Sequence, residues 1–222
     1  YFFASTLRRM LPSGAYVPQS IHWYEDELYV AGYGRPYNDD SRVYVFDADG
    51  IEQRSWVVSG AGMTNESQRV GGIFVIADAT ADRVFIAVSH SGSSAPFALS
   101  SIQVWSKTGV LIAQWYLDYG TDVGEALLPF QIVVDADLGI WVADPPLGRI
   151  TKFGANPYGT YIGQIDDWSA GSLRGISVYA GELYTFAASD NVGSMKVDVY
   201  NLNGVKQREV DGWTCDTTKI PL

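Results

Sequence analysis

Cysteine is almost absent: 222 residues carry one, Cys215, so no intrachain disulfide framework holds the chain together. That removes the strongest sequence sign of an oxidising compartment without excluding secretion. Histidine is nearly as scarce, with only His22 and His90. No apolar run approaches the ~20 residues that a membrane-spanning helix needs, so helical insertion into a membrane is not expected. Positive charge is short as well: 15 Lys and Arg stand against 25 Asp and Glu, a formal net charge of −10 with no Lys/Arg block. A field of that sign repels a polyanion, which argues against nucleic acid as a partner and favours solubility. There is no Gly-x-Ser-x-Gly nucleophile signature and no calcium-loop ligand spacing. The chain begins at Tyr1 and not at Met, as expected of a processed or truncated chain whose signal peptide, if it has one, lies upstream.

What is present favours β-structure. The chain is 47% hydrophobic and 18% charged, with 23 glycines, 14 tyrosines and 7 tryptophans, a composition that buries a sizeable core between short strands and turns. It also repeats itself. Five segments carry an alternating strand: TLRRMLPSG (residues 6–14), RVYVFDADG (42–50), SIQVWSKTG (101–109), RITKFGANP (149–157) and KVDVYNLNG (196–204). The shared large apolar position is Met10, Phe46, Trp105, Phe153 and Tyr200, at separations of 36, 59, 48 and 47, and in all but the fourth a glycine follows it by four. Repeats of ~40–50 residues built from short strands are the sequence form of propeller blades.

Upstream of four of these lies a second strand, LYVAG (28–32), VFIAV (84–88), IWVAD (140–144) and LYTFA (183–187). Before each comes a further apolar run, QSIHWY (19–24), GGIFVIAD (71–78), FQIVVDAD (130–137) and RGISVYAG (174–181). After each turn comes a more polar fourth segment, such as EQRSWVV and VKQREVDGW, which suits a solvent-facing rim. Each unit therefore reads as four strands. Neighbouring blades pack face to face, so the middle strands must be apolar on both sides. Tyr29, Phe85, Trp141 and Tyr184 hold the same place in their strands and are expected to pack between blades, since a ligand platform would break the symmetry.

The clearest unit, PFQIVVDADLGIWVADPPLGRITKF (129–153), resembles one NHL repeat. The resemblance implies an all-β fold, a β-propeller of four-stranded antiparallel blades. About five blades are expected, the alternative being a fragment of a six-bladed propeller. Residues 1–222 then form a single propeller domain, with a partial blade at 1–17, blades near 19–58, 70–117, 129–165 and 173–213, and a possible closing strand at 214–222 that removes an exposed edge. Within the repeat, Asp135, Asp137 and Asp144 fall at an interstrand turn and a strand end, so they are read as turn-forming residues.

Propeller sites sit where the inner strands begin. The candidates for ligand binding there are Gln19, Arg69, Gln131 and Arg174, with His22 further along its strand. Two arginines can grip a carboxylate or phosphate; the bland alternative is solvated loop residues, or pairing with Glu66 or Asp167. The gluconolactonase-like lactonases share the architecture and hold a divalent cation with one Glu, two Asn and one Asp from inner strands. Here the corresponding pairs, Gln19-Ser20, Gly71-Gly72, Phe130-Gln131 and Arg174-Gly175, supply no carboxylate, so neither that metal nor any catalytic residue is assigned. His22 and His90 can in principle bind a metal or exchange protons, and His90 with Ser91 and Asp78 mimics a triad; structural roles are the simpler account. Acidic loops with Asp39-Asp40, Asp118/Asp122/Glu125 and Asp166-Asp167 offer oxygen ligands to Ca²⁺, the only cofactor considered, but read better as solvated turns.

Three functional classes stay open. The first is a non-catalytic binding or scaffold module whose long segments at 32–41, 89–100 and 118–128 face a protein, glycan or peptide. The second is a hydrolase or lyase with an axial site. The third is a structural component of a larger cell-surface or virion assembly. An extracellular or cell-surface location suits all three, and a cytoplasmic one is compatible with the composition.

Overall fold

A computed structural model describes residues 16–34, 41–58, 68–77, 82–90, 100–118, 120–155, 157–188 and 194–214. The partial blade before Tyr16, the segment after Thr214, and Asp39, Asp40, Glu66, Asp78 and Ser91 lie outside the described residues. The chain divides into two compact units, residues 1–132 and 133–222.

Among the described residues four antiparallel sheets of four strands each follow one another in the sequence. The first holds β1 (Tyr16–Tyr24), β2 (Glu27–Gly34), β3 (Arg42–Phe46) and β4 (Glu52–Val57). The second holds β5 (Gln68–Ala77), β6 (Asp82–His90), β7 (Ser100–Ser106) and β8 (Leu111–Leu117). The third holds β9 (Gln131–Val134), β10 (Ile140–Asp144), β11 (Arg149–Ala155) and β12 (Tyr158–Ile165), and the fourth β13 (Leu173–Tyr179), β14 (Glu182–Ala188), β15 (Ser194–Asn201) and β16 (Lys206–Thr214). Strands neighbour each other in sequence order throughout, the four-stranded meander of a propeller blade.

The middle strands of the first three sheets are largely buried because both faces are covered, while β14 buries alternate residues. Tyr29, Val30, Ala31, Phe85, Ile86 and Ala87 have no solvent exposure, and Trp141 almost none. Tyr29, Val43 and Val45 of the first sheet join Val70, Ile73, Val84 and Ile86 of the second in one apolar cluster. Tyr184 is only half-buried.

Three hairpin turns rest on one device. Asp47 Oδ1 accepts from the N–H groups of Asp49 and Ile51, and Asn201 Oδ1 from those of Asn203 and Val205. Asp135 Oδ1 does the same with Asp137 and Gly139. Asp135 is thus a turn-former, while Asp144 closes β10. Each outer strand then slips register close to the turn that enters it, at Gln53, Ile112, Ile162 and Gln207, and β12 and β16 slip a second time, opposite Gly154–Ala155 and Met195–Val197. A bulge twists an edge away from edge-to-edge pairing.

One boundary needs correcting. Tyr16 and Val17, expected to end a preceding outer strand, open β1 and pair with Gly34 and Tyr33 of β2. Gly32 permits this, since a Cβ there would lie 2.9 Å from Pro18 Cα.

Candidate functional site

In each sheet the start of the first strand, the connection between the second and third strands and the end of the fourth lie at one end, and the other two hairpin turns lie at the opposite end. Near that first end the inner strands are irregular. The register slips at Gln19 between Pro18 and Ser20, at Gly71 between Val70 and Gly72, and at Arg174 between Leu173 and Gly175. Bulges recur beside functional sites because they re-aim a side chain out of the ladder. Two of the three bulged residues, Gln19 and Arg174, are candidates from the sequence.

In the first unit these starts come together. Ser20 Oγ accepts from the N–H of Ile73 at 3.2 Å, tying β1 to β5. A Cβ on Gly71 would lie 2.7 Å from Phe130 O, and one on Gly72 2.8 Å from Ile132 N. The paired glycines therefore let the segment leading into β9 run against β5. Gln19, Arg69 and Gln131 sit at the starts of these adjoining strands: Gln19 donates weakly to Pro18 O at 3.4 Å, Arg69 is the second residue of β5, and Gln131 is half-buried at the head of β9. Arg174 is exposed at the start of β13 in the second unit.

His22 lies three positions beyond Gln19, with its ring 4.4 Å from that of Phe74. Burial lowers its pKa against an opposing hydrogen bond with the Val75 backbone, so it is neutral at physiological pH. His90 ends β6. No described carboxylate belongs to an inner strand. The connection from β8 to β9 does carry three, Asp118, Asp122 and Glu125. Glu125 is half-buried, and its Oε2 accepts from the Asp122 N–H at 2.8 Å. Among the described residues no group of three His, Cys, Asp or Glu side chains is placed to hold a metal ion. Asp167, considered as a partner for Arg174, accepts from the Tyr200 hydroxyl.

The opposite end holds charge networks that the sequence reading missed. Arg54 makes a two-pronged bond to Glu27 at 2.6 and 2.7 Å, while the Tyr29 hydroxyl donates to the same carboxylate. Arg208, Glu182 and Tyr184 repeat the arrangement. The signal was visible as Glu-Leu-Tyr in both sheets, followed by Gln-Arg. Lys107 joins Glu25 at 3.0 Å and Asp82 at 3.1 Å.

The Arg54 guanidinium, helped by the Tyr29 hydroxyl, lowers the Glu27 pKa from 4.5 to about 2 against the cost of burial. A depressed carboxylate contributes stability above its unfolded pKa and loses it as pH falls through the folded one. Arg54→Met is therefore expected to cost about 1 kcal/mol at pH 7, the pair being partly solvated. The deficit should shrink between pH 4.5 and about 2. Urea midpoints of both proteins across that range check it; a deficit independent of pH would refute the pairing.

No family model and no curated protein matches the chain. Solved structures do. A protein of unknown function from Bacteroides caccae is similar over 91% of this chain at TM-score 0.61 and 13% identity. An exo-β-1,3-galactanase from Phanerochaete chrysosporium matches 89% at 0.56 and 14%, and a GH43 endo-arabinanase from Bacillus licheniformis 90% at 0.53 and 15%. The chain spans 63%, 52% and 76% of these three proteins. With the four sheets, the likeness shows the fold: an all-β propeller of four-stranded antiparallel blades.

One expectation is corrected. The non-catalytic scaffold reading rested on the long connecting segments and only indirectly on the lack of a local catalytic signature, yet two of these three structures are glycosidases, and the hydrolase alternative fits them better. A propeller assembles its site from strands a whole repeat apart, so a missing contiguous motif carries little weight.

Proposed function

We propose that this chain is a carbohydrate-active hydrolase domain, cleaving a glycosidic bond of a polysaccharide or oligosaccharide beside the bulged starts of its inner strands. The observation that carries the reading is the likeness to the two glycosidases over 89% and 90% of this chain. Gln19 and Gln131 offer amides to sugar hydroxyls, with Arg69 beside them in the strand order. Glycoside hydrolysis needs one carboxyl to protonate the leaving oxygen and another to act as base or nucleophile. The described inner strands supply neither, so the acids are assigned to the connections at the same end: Glu125, ordered by the Asp122 N–H, with Asp118 or Asp122 as its counterpart. The NHL-like character of residues 129–153 belongs to this proposal as a way of building a blade; the chemistry depends on what the connections add. A polymeric glycan substrate also fits the extracellular or cell-surface location.

The test is release of reducing ends from β-1,3-galactan, arabinan and xylan, together with a panel of aryl glycosides. Turnover of at least one is expected. A purified, folded protein that turns over none would overturn the proposal.

A further inference from the structure

The fourth sheet repeats the first strand by strand, and one of its faces is bare. Strand pairing gives the correspondence. Tyr24 stands opposite Glu27 in the first sheet as Tyr179 does Glu182 in the fourth. The row Tyr29, Val45, Arg54 then matches Tyr184, Val199, Arg208. The next row, two residues along each strand, matches Ala31, Val43 and Trp56 with Phe186, Val197 and Val210. Directly paired residues and second neighbours along a strand share a face, so both rows lie on one side of each sheet.

On the first sheet that side receives the second sheet. Ala31, Val43 and Trp56 are buried in one apolar cluster with Val70, Ile73 and Ile86. The Tyr24 hydroxyl donates to Asp82 at 3.0 Å, and Arg54 Nε to Lys107 O at 2.6 Å. The matching groups of the fourth sheet lack this cover. Phe186 is 39% exposed and Val210 41%, where Ala31 and Trp56 are 0% and 9%. Tyr179 is 72% exposed. Arg208 bonds Glu182 and Tyr184 as Arg54 bonds Glu27 and Tyr29, but its Nε has no acceptor among the described residues. Met195, two residues before Val197, adds a further exposed apolar side chain.

Such a face is made to be covered by another sheet, because left in water it forfeits the burial that the first sheet obtains. We propose that the fourth sheet of a second copy of this chain covers it, the two sheets packing face to face about a two-fold axis. A second copy brings an equally bare apolar sheet, and a two-fold contact requires a patch that complements itself. Charge does not oppose the burial, since Arg208 on this face is already paired with Glu182. Size sets the strength: four strands of 7 to 9 residues present roughly 450 Å² per copy. Both copies together bury about 900 Å², less than the ~1,200 Å² of stable complexes, so the dimer is weak and reversible. The proposal does not rest on the hydrolase reading.

Sedimentation equilibrium of the full chain tests it. Between about 5 and about 500 µM the mean mass is expected to rise from one chain towards two. Each copy carries a net charge of −10, so screening should tighten the dimer at least about twofold between ~0.03 and ~0.3 M NaCl. Phe186→Asp puts an unpaired charge into the apolar contact and should weaken it at least ~10-fold. Ile51→Asp changes the charge equally at a residue 60% exposed on the first sheet, and should leave the dimer as it is. If Phe186→Asp does not fold, Val210→Lys replaces it on the outer strand of the same face. A monomer at every concentration, whether a segment of the same chain, another protein or water covers the face, would overturn the proposal. So would a dimer that loosens with salt, or one that the substitution on this face leaves intact.

Discussion

Asp135→Ala is expected to lose about 3–5 kcal/mol of unfolding free energy at neutral pH, the range for removing one partner of a buried ion pair. Asp135 has no solvent exposure. Its Oδ1 accepts from the N–H groups of Asp137 at 3.0 Å and Gly139 at 2.7 Å, and its Oδ2 from the Trp141 indole at 2.9 Å. Lys152, itself only 14% exposed, is left without its carboxylate by the substitution. Asp47→Ala is the built-in comparison. Asp47 makes the same two turn bonds, but its remaining oxygen meets only the exposed Gln53 amide, so about 1 kcal/mol is expected. Urea denaturation followed by far-ultraviolet dichroism measures both. Equal losses in the two variants would mean that the buried lysine and indole contribute nothing.

The second large effect is expected at Gly71→Val, about 3 kcal/mol through overpacking. The new Cβ would lie 2.7 Å from Phe130 O, 2.8 Å from Pro129 O and 2.9 Å from Phe130 Cα. All three are backbone atoms, so no rotamer change relieves the clash; β5 or the entry to β9 must move. Gly163→Ala provides the control, because open space surrounds that position, and a change within about 0.5 kcal/mol is expected there. If Gly71→Val melts at the parent temperature, the close approach of the two inner strands is wrong. The proposed mouth would then lose the contact that assembles it.

How far the sequence reveals this molecule follows from which interactions are local. The strands β2, β6 and β10 were legible because burial on both faces forces continuous runs such as Leu-Tyr-Val-Ala and Ile-Trp-Val-Ala, whereas β14 buries alternate residues and shows Phe186 on its open face. The turn at Asp135 was legible because its carboxylate serves N–H groups only two and four residues away. The bulges were not, since a slipped register is a property of two strands together. The sequence could therefore nominate Gln19 and Arg174 by position but not see that the chain turns them out of the ladder.

The Glu27–Arg54 and Glu182–Arg208 pairs span separations of 27 and 26 residues. They would have emerged from aligning Glu-Leu-Tyr and Gln-Arg across blades. That Gly163 stands in the third sheet where Arg54 stands in the first was invisible for a different reason: it is a difference between blades, and only strand pairing shows which residues correspond. Attention to blade symmetry favoured what the repeats share. The features that point to chemistry are the departures from it.

The most direct measurement is reducing-end release from β-1,3-galactan, arabinan and xylan by the parent protein and by Glu125→Gln. The amide oxygen in this variant can still accept from the Asp122 N–H but the side chain can no longer exchange a proton. The account predicts turnover of at least one polymer by the parent, reduced at least ~100-fold in the variant with an unchanged melting temperature. No turnover by the parent, or equal turnover by both, would contradict it.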